Sequence, residues 1–397
     1  MSLAGFFKLF GIGPVQARAY ILLWVIIALV VLFIFLKKLF GKKEAFFSLL
    51  LFVTFASFYG SGRTVVGEIP AFVFLILGFY SLFFKNSYFW TGFLWGLAVV
   101  TKPSVYLLLV PAIFLVLLLR KEQFFRRIIK LGLGMLPPAA GWIFLIIGNP
   151  FSKSAWLGIL HFYANPFGSV SLTENILRNL SGISHSSTLI YFGILFLLVI
   201  FARCLSKEKN TNLFYNFIII YNFLAFIYYL RSPNWLRYIL IFELLILTIL
   251  PKAVYSIAEH YKTRLTRIKN HFSLAAFALS LLVVIQFVHL FTGAQIFYSD
   301  SAPKIISALN NNFSDKSIGI LNVPMVAAFL KTDKRFQIIK LNGIPAIGKN
   351  PLLNTHLPDI IVLKMAEKDL YDAVDTLGKK YELYKIIGKF GIYTIIK

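Results

Sequence analysis

Acidic residues are scarce in this chain. Sixteen Asp and Glu stand against 40 Lys and Arg in 397 residues, a formal charge of +24. No aspartate occurs before Asp300, and the acids of the first hundred residues are Glu44 and Glu68. Cys204 is the only cysteine, which excludes an intrachain disulfide. No pair of His, Cys or Asp has metal-ligand spacing, so no protein-only metal site and no cofactor is evident; a divalent cation is left open. A phosphate-binding loop of the GxxxxGK[ST] type is absent, which argues against ATP-driven transport by this chain alone. The opening MSLAGFFKLFGIGPVQAR lacks the short apolar run and small-residue cleavage site of a secretory signal.

Apolar residues are abundant instead. They make up 58% of the chain, Phe alone contributes 42 residues, and the mean hydropathy is +0.77. Soluble domains are nearer 45–50% apolar, so much of this surface faces lipid. Apolar segments fall at about 17–36, 45–59, 69–84, 88–100, 104–119, 131–148, 188–204, 213–230, 238–251 and 271–292. Several are shorter than the roughly 20 residues a full span needs. Lys and Arg crowd into every second connection, beginning with Lys37, Lys38, Lys42 and Lys43 and ending with Lys262, Arg264, Arg267 and Lys269. Charge that flanks apolar segments in this way meets anionic headgroups and not nucleic acid. The expected fold class is an α-helical polytopic membrane protein of about ten spanning or partly spanning helices.

Short basic loops stay in the cytoplasm. Ten crossings then put both termini outside, and an outside N-terminus points to a missing preceding segment. Within 88–119, Lys102-Pro103 interrupts what would be a helix of about 48 Å at 1.5 Å per residue, and proline breaks helices. A hairpin is expected there, with Lys102 at the bottom of an outward-facing cavity. The polar stretch 149–187 suits an amphipathic interfacial helix. After about residue 293 the pattern changes. GILNVP, FQIIKL, DIIVLK and ELYKIIGKFGIYTIIK read as strands; APKIISALNNN, MVAAFLKT and AEKDLYDAVDTLGKK read as helices. The division is a transmembrane domain over 1–292 and a small extracytoplasmic α/β domain over 293–397.

Ionisable residues beside apolar segments are costly unless they face protein or water. Arg63, Glu68, Lys102, Arg231 and Arg237 all fall on the side opposite the basic loops. Four cations on that face suit an anion such as a lipid phosphate, Arg by its bidentate fork and Lys as a compact charge. Each has an ordinary alternative: Arg63 pairing with Glu68, Lys102 snorkelling to the interface, Arg231 and Arg237 anchoring helix ends. Glu243, inside an apolar segment, reads as a buried structural partner for a cation, with a place in a site as the alternative, and His161 and His185 read as loop residues.

At this point a resemblance emerges. GRTVVGEIPAFVFLILGFYSLF followed by FWTGFLWGLAVVTKPSVYLLLVPAIFLVLLLR resembles the core of the GT-C glycosyltransferases, nearest the protein mannosyltransferase and aminoarabinose transferase-like branch. Those sequences carry an Arg, a Glu-x-Pro and a Gly-rich helix ending in Thr-Lys, matched by Arg63, Glu68, Pro70, Gly92, Gly96, Thr101 and Lys102. A later Arg-Tyr opening a segment is matched by Arg237-Tyr238. The resemblance covers roughly residues 5–255. It implies a multi-pass transferase in the plasma (inner) membrane that takes a sugar from a polyprenyl-phosphate donor. The acceptor would be a glycan, lipid or protein outside the cytoplasm, reached with inversion at the anomeric carbon. Arg63, Glu68, Lys102, Arg231, Arg237 and Tyr238 would line the lipid-phosphate or substrate site. The family's acid in the first outside loop has no counterpart, because the chain begins where that loop ends; no catalytic base is assigned, with Glu68 as a weak substitute. Two other readings stay open: a carrier or flippase for a lipid-linked glycan, and a noncatalytic membrane protein whose outside domain binds a partner.

Overall fold

The computed structural model describes residues 2–11, 13–58, 67–120, 123–147, 151–164, 171–206, 209–231, 236–262, 271–292, 301–313, 315–321, 336–339, 358–364, 381–388 and 390–395. The chain divides into two compact units, residues 18–296 and residues 1–17 with 297–397.

The larger unit is helical. Its elements are α2 (Pro14–Leu39, which begins in the other unit), α3 (Lys42–Thr54), α4 (Glu68–Phe84), α5 (Tyr88–Thr101), a single turn (Pro103–Tyr106), α6 (Leu109–Arg120) and α7 (Phe124–Trp142). There follow α8 (Lys153–Ala164), α9 (Leu172–Ile183), α10 (Ser187–Leu205), α11 (Lys209–Arg231), a 3₁₀ turn (Leu236–Ile239), α12 (Leu240–Lys262) and α13 (His271–Thr292). Each of the ten expected apolar segments coincides with one of these helices. Among the described residues six helices are long and apolar enough to cross a membrane: α2, α7 and α10 to α13. On α2 the pattern is plain. Leu22, Ile26, Val30 and Ile34 are exposed at a spacing of four, while Ile21, Val25, Ala28, Leu32 and Phe35 are buried, so one stripe faces lipid and the other faces protein.

Two helices outrun their apolar segments. The π-turn Ile143–Ile147 extends α7 at its far end, and α7 starts seven residues before the expected 131 because Arg126, Arg127 and Lys130 sit on its first turns. The α12 helix runs through Pro251 to Lys262, eleven residues past the apolar run. Hydropathy marks where lipid begins, not where backbone hydrogen bonding stops.

Packing is tightest where side chains are smallest. A Cβ on Gly92 would fall on the Leu131 backbone, and one on Gly134 on the Phe89 carbonyl oxygen. Lipid is as apolar as a side chain, so close van der Waals approach holds such helices together. Gly78 likewise makes room for the Trp95 indole, whose Nε1 donates to the Leu75 carbonyl at 3.1 Å. Around this point Phe214 meets Phe35 and Phe79 edge to face, Phe217 meets Phe79 likewise, and Phe35 stacks on Phe79, at centroid separations of 4.8–6.1 Å.

In the smaller unit, α1 (Ser2–Phe10) and α14 (Ser301–Asn312) accompany five strands: β1 (Ile318–Leu321), β2 (Phe336–Ile339), β3 (Ile360–Lys364), β4 (Tyr381–Ile387) and β5 (Phe390–Ile395). Their order is β2-β1-β3-β5-β4, with β1 parallel to β2 and β3, and β5 antiparallel to β3 and β4. The closing ELYKIIGKFGIYTIIK is thus a hairpin and not one strand. It turns at Gly388, whose φ of 61° favours glycine. Ile305 and Leu309 of α14 pack on Ile318, Ile320, Ile360 and Val362. Asp359 ties β1 to β3: its Oδ2 accepts from the Ser317 amide at 2.8 Å and hydroxyl at 2.7 Å. The Ser317 hydroxyl, then its amide, hold this carboxyl below the usual range. Burial pushes the Tyr381 phenol up to about 12, aided by Asp359; its hydroxyl donates to the Pro358 carbonyl at 2.7 Å. The helices expected at MVAAFLKT and AEKDLYDAVDTLGKK lie outside the described residues.

Candidate functional site

Helix directions place the lysine. The α4 and α5 helices are antiparallel neighbours, because Trp95 bonds to Leu75, Thr91 to Gly78, and Thr101 lies against Gly67. In contrast, α5 and α7 run parallel: Gly92 meets Leu131, and Gly96 meets Met135 and Pro138. The Arg127 guanidinium lies 5.6 Å from the Tyr88 ring centre, so the chain leaving Thr101 has returned to the level of Tyr88 by residue 127. The turn and α6 make that return. Lys102 therefore stands at the reversal of the expected hairpin.

The local backbone follows from the sequence. Pro103 cannot donate to α5 and suits the first position of a new turn. The residue before it is pushed out of the helical region, and Lys102 has φ −146° and ψ 78°. Its amide still donates to the Ala98 carbonyl at 3.1 Å, and its carbonyl accepts from the Tyr106 amide at 3.2 Å. Lys102 thus ends one helix and begins the next.

Glu68 opens α4 directly opposite. A carboxylate in the first turn faces the positive end of the helix dipole. Its backbone is tightly placed: a Cβ on Gly67 would sit 2.5 Å from the Thr101 carbonyl oxygen, and the Tyr106 hydroxyl donates to the Glu68 carbonyl at 2.8 Å. Tyr106 is fully buried, and the Tyr221 hydroxyl of α11 donates to the Val105 carbonyl at 3.3 Å. Across this frame Lys102 Nζ lies 3.0 Å from Glu68 Oε1. Exposure is unequal, 2% for the Glu68 side chain and 21% for that of Lys102. The second carboxylate oxygen, Oε2, is buried without a hydrogen-bond partner among the described residues. A reachable ammonium thus stands over a sealed carboxylate, an arrangement that leaves the lysine and not the glutamate open to solvent.

The other expected residues are placed unevenly. Arg63 lies outside the described residues. Arg231 is exposed on the last turn of α11. Arg237 belongs to the 3₁₀ turn leading into α12, and its side chain lies outside what is described. Tyr238 beside it is buried, its ring edge-on to Tyr228 at 5.9 Å. Glu243 is buried in α12, and its Oε1 finds no hydrogen-bond partner among the described residues. His185 stays in an exposed turn, its Nδ1 3.1 Å from the Ser184 hydroxyl; the His161 side chain lies outside the described residues. Among the described residues no group of three His, Cys, Asp or Glu is placed to hold a metal ion.

Sequence reasoning missed the supports. Tyr106 falls one turn after Lys102, and that spacing was its only signal. Asn179 on α9 was not singled out; its amide donates to the Tyr229 and Leu230 carbonyls at 3.1 and 2.9 Å, closing the end of α11. The stretch expected to hold an interfacial helix contains α9. Ser171 caps it by accepting from the Glu174 amide, and Leu172, Leu177 and Leu180 are exposed while Asn175 and Asn179 are buried.

Residues 2–161 match the family model for dolichyl-phosphate-mannose-protein mannosyltransferases, a span that includes Arg63, Glu68 and Lys102. No curated protein matches. Among solved structures, the crystal structure of ArnT from Cupriavidus metallidurans bound to undecaprenyl phosphate superimposes with a TM-score of 0.63. The identity is 13%, over 99% of this chain and 86% of that one, which makes the likeness one of fold. The likeness met in the sequence is thus met twice more, in the family model over residues 2–161 and in the fold, which is that of a polytopic helical membrane protein with a small C-terminal sheet unit.

Proposed function

We propose that the chain transfers a sugar from a polyprenyl-phosphate carrier to a glycan, lipid or protein acceptor on the extracytoplasmic side of the plasma (inner) membrane. The C-terminal sheet unit lies on that same side. The observation that carries this reading is Lys102, an accessible ammonium at a helix reversal, paired with a buried carboxylate. Its ammonium grips the carrier phosphate, and Arg63, Arg231 and Arg237 are the further cations assigned to that anion, with Tyr238 beside them.

Charge on the leaving phosphate grows as the bond to the sugar breaks, so a fixed cation there lowers the barrier. Attack by the acceptor from the opposite face inverts the anomeric carbon, and its hydroxyl proton must pass to a base. Glu68, engaged by Lys102 and sealed from water, acts as counter-ion in this scheme, and the base is not assigned to it. That ArnT was crystallised with undecaprenyl phosphate on a similar fold supports a polyprenyl-phosphate carrier.

The test is transfer of labelled sugar from a polyprenyl-phosphate donor pool in proteoliposomes, comparing the wild type with Lys102→Ala. Transfer by the wild type and its loss in the variant is the expected outcome. Equal transfer by both would remove Lys102 from the chemistry, and lipid translocation without any glycosidic product would replace the transferase by a carrier.

A further inference from the structure

We propose that Glu68 is a built-in competitor for Lys102 that selects carriers by charge, weakening the hold on a doubly charged phosphomonoester more than that on a singly charged phosphodiester. The inference rests on the reading that Lys102 holds the carrier phosphate. A sugar donor of this class is a diester with one negative charge. The carrier left after transfer is a monoester whose second ionisation lies near pH 6, so at neutral pH it carries up to two charges.

Three observations support the role. The Glu68 carboxylate is 3.0 Å from the ammonium and 2% exposed, so water screens its charge poorly. It cannot swing aside easily: it is the first residue of α4, its carbonyl is held by the Tyr106 hydroxyl, and Gly67 before it is wedged against the Thr101 carbonyl. Lys102 is the more accessible partner, at 21% exposure, and an ammonium has three donors, so it can reach a phosphate oxygen while keeping Glu68. A bound phosphate then sits one side chain away from a fixed negative charge.

The consequence is graded by ligand charge. The carboxylate repels every anion at Lys102, and it repels a dianion twice as strongly as a monoanion. Without the ligand it neutralises a lysine that would otherwise stand unpaired in an apolar unit. With the donor bound it costs a modest part of the affinity. Once the sugar has left, the extra charge on the carrier meets the same carboxylate, and release is favoured. Glu68 is thus a positioning and selecting residue that acts through Lys102.

The experiment measures binding to the full chain in nanodiscs at pH 8, using undecaprenyl phosphate as the monoester and undecaprenyl methyl phosphate as the diester. The wild type is expected to favour the monoester less than Glu68→Gln does. Glu68→Gln is expected to bind both more tightly, the monoester by about tenfold and the diester by about threefold, and to release the monoester more slowly. Glu68→Asp keeps the charge and is expected to keep the wild-type preference. The proposal is overturned if Glu68→Gln leaves the monoester-to-diester ratio unchanged or lowers it, or if Glu68→Asp alters it as much as Glu68→Gln does. A loss of folding in Glu68→Gln, seen by size exclusion, leaves the wild type and Glu68→Asp to decide. Lys102→Met serves as the control. Undiminished binding there would sink the phosphate reading itself, whereas lost binding with an unmoved ratio in Glu68→Gln would sink only the selection by charge.

Discussion

Removing Lys102 should cost more stability than removing the charge of Glu68, although the two share one ion pair. The asymmetry follows from their exposures, 21% for the lysine and 2% for the glutamate. At 3.0 Å the pair attracts with about 5 kcal/mol if the effective dielectric constant is about 20, most of which offsets the desolvation of the two ions. Lys102→Met leaves the buried carboxylate without the ammonium it pairs with, and stranding a buried charge costs about 3–5 kcal/mol. Glu68→Gln leaves an ammonium that reaches water, together with a neutral amide that can still accept its hydrogen bond, so about 1–2 kcal/mol is expected. The double variant should be less damaged than Lys102→Met alone, because the stranded charge is gone. Unfolding of the purified chain in mixed micelles, followed by the fluorescence of its tryptophans across a denaturing-detergent titration, gives the four values of the cycle. If Lys102→Met proved harmless, or Glu68→Gln the more damaging change, the placement of a sealed carboxylate under an accessible lysine would be wrong.

Other consequences are as direct. Gly134→Ala should destabilise by about 1–3 kcal/mol because its Cβ falls on the Phe89 carbonyl. Gly132→Ala, two residues away with open space around it, should be neutral or stabilising by up to about 1 kcal/mol; the same unfolding assay reads both. Asn179→Ala should cost about 1–3 kcal/mol by leaving the Tyr229 and Leu230 carbonyls without their donor, seen as faster hydrogen exchange at the end of α11. In the sheet unit the Asp359 carboxyl is held low by Ser317, so its contribution is present above the unfolded value of about 3.9 and is lost as pH falls through the lower folded value. Protection of β1 and β3 against hydrogen exchange, corrected for intrinsic rates, should fall below about pH 4. Asp359→Asn should start lower at neutral pH and lose that acid-dependent step.

The membrane helices were legible because hydropathy alone encodes them, and all ten segments coincide with helices. Their ends were less legible. Arg126, Arg127 and Lys130 looked like a loop but form the first turns of α7, since a helix continues into headgroups without needing apolar residues. The reversal at Lys102 was readable from Pro103 and a length too great for one span. That Glu68 is the partner of Lys102 was not readable. Sequence proximity suggested Arg63, five residues away and outside the described residues, and gave no sign that the antiparallel packing of α4 on α5 brings together residues 34 apart. Gly67 and Tyr106 carry that geometry, and neither has a chemistry that draws notice in a sequence. In the sheet unit the strands were visible as β-branched runs, but the parallel pairing of β1 with β2 and β3 depends on tertiary order that no local pattern states.

The central claim is that the carrier phosphate docks at Lys102. Photo-crosslinking with a polyprenyl phosphate bearing a benzophenone next to the phosphate, followed by peptide mapping, tests it most directly. Adducts should concentrate in peptides covering 67–106 and fall away in Lys102→Met. Adducts confined to other helices, with the same yield in the variant, would contradict it.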